Sequence, residues 1–511
     1  MGIRERFRRL LAQAPADATA IEFERQWTTW GTIQAIARDL DGLLLTRGLG
    51  AGARVGLIME NRPEHVAVIA GLLATDRTVV SFSSLQPPAR LAADIVRGDV
   101  GVLVGSPAQL AGEGVRAAAG DALVLELTAG AVAAAGLGEK PAEKTEPRPE
   151  DFAPGVVVEM LTSGTTGPPK RVLLREGQID TALATSTPDP PGDGLFRSGV
   201  TIVATPIVHI GGFWGVVASL YAGRRIVLFP KFQLDTWLDA VERHRPSAAG
   251  LVPAAIRTVL AARVPAEKLA SLKVITSGTT FCPPELVDAM LERYGIRVLP
   301  TYGATEFAGA IALWTAPMHA KYWPAKAGSA GRAVPGVELR VTGPDGAVLP
   351  TGQQGVLEIR SAQSPAGAHA WQRTSDLASI DEDGFLWIHG RVDDAIIRGG
   401  FKVQPETVKS ALERHPAVRE AAVAPLPDDR LGFVPVAAVE LEPGAEVDGE
   451  ELRRFCRDVL LPYEVPAHVV VLDALPRTPS QKVSRVELLE LIEASLGRDG
   501  LASGNTGRRL P

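Results

Sequence analysis

"LTSGTTGPPK", Leu161 to Lys170, is the stretch whose reading decides this chain. It follows the apolar run "GVVVEML", Gly155 to Leu161, which reads as a strand. A strand that gives way to small hydroxyl residues and glycines offers backbone N–H groups and hydroxyls in a tight turn. Lys170 adds a mobile positive charge, and such a concavity suits phosphate oxygens. It is not the GxxxxGK[ST] loop, because Pro169 stands where that pattern needs a glycine before the lysine. Taken alone, a polar turn between two strands would read the same way.

Around this stretch lie 511 residues, 46% of them hydrophobic, more than a single core usually serves, so at least two domains are expected. The net charge is −6 with no basic block, which argues against a nucleic-acid partner. Cys282 and Cys456 stand far apart without a ligand pattern, which argues against a disulfide framework or a zinc site and fits a reducing cytoplasm. No run approaches the roughly 18 apolar residues of a membrane span, so no integral membrane segment is expected. The opening "MGIRERFRRLLAQAP" reads as an ordinary amphipathic helix, with a membrane-surface role for its arginines as the alternative.

Apolar strands next to helical patterns recur, as in "RVGLIM" before "PEHVAVIAGLLA" and "RIVLF" before "LDTWLDAVERH". They predict an α/β fold: a large N-terminal domain of layered sheets and helices with a small mobile α+β C-terminal domain. Gly130 to Asp151 reads as a solvated connection. The texture changes near "HGRVDDAIIRGGFKVQPE", so the expected domains are residues 1–391 and 392–496, with 497–511 a flexible tail.

Other motifs keep the opening stretch company. "TYGATE", Thr301 to Glu306, combines a ring that can stack on a purine, a close-approach glycine, hydroxyls and a carboxylate able to hold magnesium. Asp376 in "RTSDLA" could bind ribose hydroxyls, with Arg391 of "GRVDD" beside it, and Lys482 sits among short polar residues in "LPRTPSQKVSR". Each is weak alone. Their order and spacing carry the reading.

In that order the motifs resemble the adenylate-forming superfamily of acyl-CoA synthetases, firefly-type luciferases and peptide-synthetase adenylation domains. The resemblance spans nearly the whole chain to Lys482. It implies an ATP- and Mg²⁺-dependent ligase that makes an acyl-AMP and passes the acyl group to the thiol of CoA. Thr162, Ser163, Gly164, Thr165, Thr166, Gly167 and Lys170 would form the phosphate loop. Gly278, Thr279, Thr280, Thr301, Tyr302 and Gly303 would line the nucleotide, Asp376 and Arg391 would fix the ribose, and Glu306 would hold the metal. The catalytic set would be Lys482, His209, Glu306 and Thr305, and the acyl pocket His209, Phe213, Trp214, Thr279 and Gly303. Asp393 would be the hinge, and Arg398, Gly399, Gly400 and Phe401 would line the CoA tunnel.

Four sites depart from the family pattern: Arg171 and Ser375 stand in place of glycines, Thr279 and Thr280 in place of a glycine and a small residue, and Gln481 in place of the glycine before Lys482. The plain reading is drift in tolerant loops. The sharper one is an enzyme biased toward the thioester-forming half-reaction. The expected substrate is a small-molecule carboxylic acid with an apolar acyl group, fatty, aryl or polycyclic; Trp314, further along the chain, reads equally as core or pocket wall. Two alternatives stay open: transfer to a separate acyl carrier protein, and a nucleotide-binding protein without turnover.

Overall fold

The structure is a computed structural model and describes residues 1–137, 152–162, 170–187, 194–392, 394–398, 401–428, 431–478 and 482–502. Two compact units result. The first comprises Met1–Leu339, Ile359–Gln372 and Gly384–Leu386, and the second Arg340–Glu358, Arg373–Asp383 and the chain from Trp387 onward. The second unit thus draws in two earlier segments that an expectation of one linear boundary after Arg391 does not include.

Near-continuous apolar runs produce the parallel strands of the first unit, because strands covered by helices on both faces need no polar side. Arg54–Met59 pairs in parallel with both Thr78–Ser83 and Val102–Gly105. The crossover between the first two is Pro63–Ala74, a helix buried all round and opened by proline in its first turn. The sheet has seven strands: Ala131–Leu137, Leu123–Thr128, Val102–Gly105, Arg54–Met59, Thr78–Ser83, Val156–Thr162 and Lys170–Arg175. Only its two edge pairings are antiparallel. One edge strand, Ala131–Leu137, corrects the reading of Gly130 to Asp151 as connection throughout: Val132 is buried while Ala131 and Ala133 are exposed, a half-buried edge pattern that the alanine-rich composition conceals. The rest of that stretch, 138–151, lies outside the described residues.

The other edge is the hairpin of the opening motif, in which Thr162 pairs with Lys170 and Leu161 with Arg171. A second sheet runs Val200–Val203, Arg225–Leu228, Thr19–Phe23 and Gln26–Thr29; a third runs Ala248–Gly250, Val274–Ser277, Arg297–Ala304, Gly309–Leu313 and Arg332–Ala333. The opening helix Ile3–Gln13 does not present all its arginines to the surface. Arg4 is buried, with Nη2 donating to the Val156 carbonyl at 3.0 Å and Nε to Glu176 at 3.1 Å. Arg6 donates to the carbonyls of Tyr221 at 2.9 Å and Leu195 at 2.6 Å. These two charges pin the helix to the unit, which removes them from any membrane-surface role. Among the described residues no helix is long and apolar enough to cross a membrane.

In the second unit, Val418–Asp428 and Gly432–Leu441 form a long antiparallel pair whose alternate residues feed two cores. Ala421, Val423, Ala437 and Val439 face the helices Pro405–Glu413 and Gly449–Val459 through Val408, Leu412, Leu452 and Cys456. Ala422, Ala424, Val436 and Ala438 pack with Leu488 and Ile492 of the last helix, Arg485–Ala502. That helix runs past residue 496 to Ala502, where a flexible tail was expected.

Candidate active site

In the first unit, candidate residues gather at the carboxyl ends of two adjacent parallel strands, Val274–Ser277 and Arg297–Ala304, where open α/β sheets bind ligands. The strands run in register from Val274 opposite Arg297 to Ser277 opposite Pro300, so Gly278–Thr280 and Thr301–Gly303 emerge side by side. A Cβ added to Gly278 would stand 3.6 Å from the Thr301 carbonyl oxygen. At Gly303 an added Cβ would lie 2.2 Å from the Gly309 carbonyl oxygen, so only glycine admits this pairing. The chain then turns through the short 3-10 helix Thr305–Phe307. Phe307 is buried beneath it, and Ala308 leaves it in the left-handed region at φ 57°. Burying Phe307 turns Glu306 outward, exposed, with Thr305 half-buried beside it.

His209 is brought to the same side by a second device. Asn61, buried, donates to the carbonyls of Thr205 at 3.1 Å and Phe229 at 2.8 Å, and accepts from the Ile207 N–H at 2.8 Å. It shapes the segment from Thr205 to His209, which ends as the N-cap of the helix Ile210–Tyr221. Gly212 is required there, since an added Cβ would fall 2.1 Å from the Pro206 carbonyl oxygen. Thr279 faces this helix start, its Cγ2 3.6 Å from the Cβ position of Gly211. Trp214, half-buried, lies 3.9 Å from that of Gly309, with Ala182 on the same glycine at 3.6 Å. His209, Trp214, Thr279 and Gly303 therefore belong to connected segments of one unit.

Phe213 does not join them. It is fully buried in the main core, because position 213 falls on the inward face of the helix, and it makes no open pocket wall. Trp314 is also core: its ring packs against Trp323 and Phe385, and its indole N–H bonds the Ser329 carbonyl at 2.9 Å. Thr279 takes a left-handed backbone, φ 73°, which a β-branched residue adopts only at a cost. Ser375 shows no such conformation, so the glycine it replaces is not required by the backbone here.

The second unit holds the remaining candidates. Asp376 lies on Gln372–Ile380 and Arg391 ends the neighbouring strand Leu386–Arg391. The Val392 N–H bonds the Ser375 carbonyl at 2.7 Å, which sets the end of one strand against the other. Lys482 closes a tight hairpin: Arg477 bridges Val483, and the Thr478 N–H donates to the Lys482 carbonyl at 2.7 Å. The hairpin is rooted on Glu440, buried, which accepts from the Leu475 N–H at 2.6 Å, and on Glu420, which pairs with Arg477 at 2.5 Å. The Lys482 side chain reaches solvent. Desolvation, and secondly the charge of Arg391, hold its ammonium below the ordinary lysine pKa. Arg398 donates to the carbonyls of Tyr463 and Val465, both at 2.9 Å, and exposed Phe401 stacks on Tyr463 at 4.7 Å.

Ser163, Gly164, Thr165, Thr166, Gly167, Asp393, Gly399, Gly400 and Gln481 lie outside the described residues, and of Thr162 and Lys170 only the strand positions are described. Among the described residues no three His, Cys, Asp or Glu side chains form a metal cage. One exposed carboxylate flanked by hydroxyls suits instead a hard cation held mostly by substrate phosphates, as Mg²⁺ usually is. Burial raises both thiols, Cys282 and Cys456, to about 11, and both are free and inert.

Sequence reasoning passed over Asn61, Gln178 and Gln363, and took Arg171 only as a replaced glycine. Arg171 fills the space beside Phe82, its guanidinium 5.7 Å from the ring centroid, and bonds buried Glu159 at 3.0 Å. The three amides donate to carbonyls remote in sequence, so no local pattern exposes them.

Residues 7–367 match the model of the AMP-binding enzyme family and 407–482 that of the AMP-binding enzyme C-terminal domain. The chain is 34% identical over 346 residues to an indoleacetate–CoA ligase of Aromatoleum aromaticum, covering 65% of this chain and 66% of that protein. A 2-succinylbenzoate–CoA ligase of Bacillus cereus is 29% identical over 93% of this chain and 96% of its own. A sulfoacetate–CoA ligase of Cupriavidus necator is 30% identical over 90% and 92%. Among solved structures, ATP-bound MatB from Rhodopseudomonas palustris superposes with TM-score 0.79 at 25% identity, covering 97% of this chain and 100% of that one. The amide bond synthetase McbA from Marinactinospora thermotolerans gives 0.78 at 26%, covering 96% and 99%.

Proposed function

Because the chain belongs to the AMP-binding enzyme family, and is an adenylate-forming acid:CoA ligase, we propose that its substrate is an apolar monocarboxylic acid of aryl or fatty type. The observations that carry the substrate reading are two close approaches, Trp214 at 3.9 Å from the Cβ position of Gly309 and the Thr279 Cγ2 at 3.6 Å from that of Gly211. They offer an indole ring, glycine backbone and a threonine methyl, and none of these four residues carries a charge to meet a second anionic group. That favours an indoleacetate-like acid over a sulfonate or a dicarboxylate.

A carboxylate is a poor electrophile, being anionic with a bad leaving group. Its oxygen attacks the α-phosphorus of ATP, the bond from that phosphorus to the bridging oxygen breaks, and pyrophosphate departs with the electron pair. The barrier is chiefly repulsion between anions, so fixed positive charge and dipoles dominate. Lys482, as ammonium, bridges the carboxylate and the α-phosphate. Thr165, Thr166 and Thr305 donate to phosphate oxygens, Tyr302 stacks on the adenine, and Asp376 with Arg391 holds the ribose. Mg²⁺, when bound at Glu306, supplies charge neutralisation on the phosphates. In the second step the CoA sulfur attacks the acyl carbon, the bond to the AMP oxygen breaks, and the thiol proton leaves to solvent. His209 stands at the acyl side. Asp393 is the hinge between the two steps, and the strand end at Arg398 and Phe401 faces the incoming pantetheine.

The test is an acid panel of indoleacetate, phenylacetate, octanoate, 2-succinylbenzoate and sulfoacetate with ATP and Mg²⁺, following pyrophosphate release with and without CoA and the thioester by mass. Turnover of apolar monoacids well ahead of the two dianions supports the reading. Preference for sulfoacetate or 2-succinylbenzoate refutes it.

A further inference from the structure

Two buried amide side chains, on no motif, hold the turn that carries Glu306. Gln178, 5% exposed, lies in the first turn of the helix Glu176–Ser186, directly after the strand that leaves the phosphate loop. Its Oε1 accepts from the Arg175 N–H at 2.9 Å, the last residue of that strand. Its Nε2 donates to the Glu306 carbonyl at 3.2 Å and to the Gln363 carbonyl at 2.9 Å. Gln363, 0% exposed, donates in turn from its own Nε2 to the carbonyls of Phe307 at 3.2 Å and Ala310 at 3.3 Å.

These bonds fall where the backbone needs them. The 3-10 turn Thr305–Phe307 has carbonyls that no ladder satisfies, and it ends in the left-handed residue Ala308, a conformation costing roughly 1 kcal/mol in an alanine. Left alone, such a turn would sample several conformations and carry the Glu306 carboxylate with it. The pair removes that freedom and ties the turn to the strand rooted at Lys170. Four amide hydrogens converge on four carbonyls, three of them within Glu306–Ala310.

We infer that Gln178 and Gln363 are positioning residues for the metal-nucleotide site, locking the Glu306 turn in register with the strand that follows the phosphate loop. The inference rests on the assignment of Glu306 to the metal. A displacement of about 1 Å in such a group is enough to weaken its contribution about a hundredfold in a catalytic step. In ground-state binding, the loss of one or two buried hydrogen bonds should appear as about a tenfold change.

The experiment measures ATP affinity by calorimetry with and without saturating Mg²⁺, and AMP affinity without metal, for the wild type, Glu306→Ala, Gln178→Met, Gln178→Glu and Gln363→Met. Gln178→Glu keeps the length and the bond from Arg175 while losing both donors, so it serves if the methionine variant does not fold. The Mg²⁺-dependent gain in ATP affinity should disappear in Glu306→Ala and fall about tenfold in the glutamine variants, with AMP affinity unchanged. If Glu306→Ala keeps the full gain, the metal assignment of Glu306 is wrong and the inference falls with it. If Glu306→Ala loses the gain while the folded glutamine variants keep it, the inference alone is overturned. Equal loss of ATP and AMP binding in the glutamine variants would mark a general packing role and also overturn it.

Discussion

Glu159 is the residue whose removal should harm the first unit most for the smallest change in shape. Its side chain is 4% exposed and sits between two cations. Arg54 grips it bidentately, Nε to Oε1 at 2.7 Å and Nη2 to Oε2 at 2.9 Å, and Arg171 adds a third bond at 3.0 Å. Arg171 is half-buried and its guanidinium pKa is lowered, first by burial and also by Arg54, with Glu159 opposing both. Glu159→Gln keeps the volume but leaves two poorly solvated guanidinium groups facing each other with no anion between them. Breaking a buried pair from one side costs about 3–5 kcal/mol, which for a unit of this size lowers the thermal midpoint on the order of 10 °C. Arg171→Met should cost far less, about 1 kcal/mol, because Arg54 still neutralises Glu159. The assay is thermal and urea unfolding followed by tryptophan fluorescence, together with ATP affinity, since Leu161 and Arg171 form the rung beside Thr162 and Lys170. The reasoning fails if Glu159→Gln costs under about 1 kcal/mol, or if Arg171→Met costs as much as Glu159→Gln.

Further outcomes are expected elsewhere. Thr279→Gly should relieve the left-handed strain, leave the thermal midpoint at or above wild type, and widen the acid panel by removing the methyl 3.6 Å from the Gly211 Cβ position; kcat/KM across acids of increasing width checks this. His65, fully buried, has its pKa pushed down from 6.5 to about 3 by burial and by Arg62. The unfolded chain therefore takes up this proton at a higher pH than the folded one, and stability falls as pH drops from 6.5 toward 3, by about 1.4 kcal/mol per pH unit from this group. Urea midpoints of the wild type against His65→Gln across that window should show the slope reduced in the variant. For Lys482, adenylation needs the ammonium, so its rate should fall as pH rises through a value below the ordinary 10.5. Lys482→Arg should move that limb upward, Lys482→Ala should nearly abolish pyrophosphate release, and neither should affect thioester formation from supplied acyl-AMP; loss of both half-reactions in Lys482→Ala would refute the role.

How far the chain could be read in advance depended on how local the physics was. Arg54–Met59, Pro63–Ala74 and Leu234–His244 form as their apolar patterns predict, since burial on one or both faces leaves its mark on adjacent residues. Ala131–Leu137 escaped because an edge strand needs only one buried side chain, and alanines supply no contrast. The continuation of the last helix to Ala502 escaped because glycines at 497 and 500 signal an end that the helix overruns. Within the site, the glycines at 212 and 303 were visible as motif letters, but why they must be glycine appears only when the Pro206 and Gly309 carbonyls are seen 2.1 and 2.2 Å from a Cβ. Phe213 was read as a pocket aromatic and Trp314 as core or pocket wall alike, yet both belong to the core, since composition does not say which way a ring points. Asn61, Gln178 and Gln363 were illegible because a buried amide that bonds a carbonyl 53 or more residues away looks like any other polar residue in the sequence.

Acyl-adenylate formation is the central step, and its most direct measurement follows the carboxylate oxygen. The enzyme is given ATP, Mg²⁺, CoA and a turned-over acid carrying heavy oxygen in its carboxylate, and the nucleotide product is examined by mass. Attack of that oxygen on the α-phosphorus, followed by thiol cleavage at carbon, leaves one heavy oxygen in AMP. Labelled AMP formed together with acyl-CoA is the result expected here. Unlabelled AMP, or ADP with label in the inorganic phosphate, would mean that the acid is activated by another route and would contradict the account.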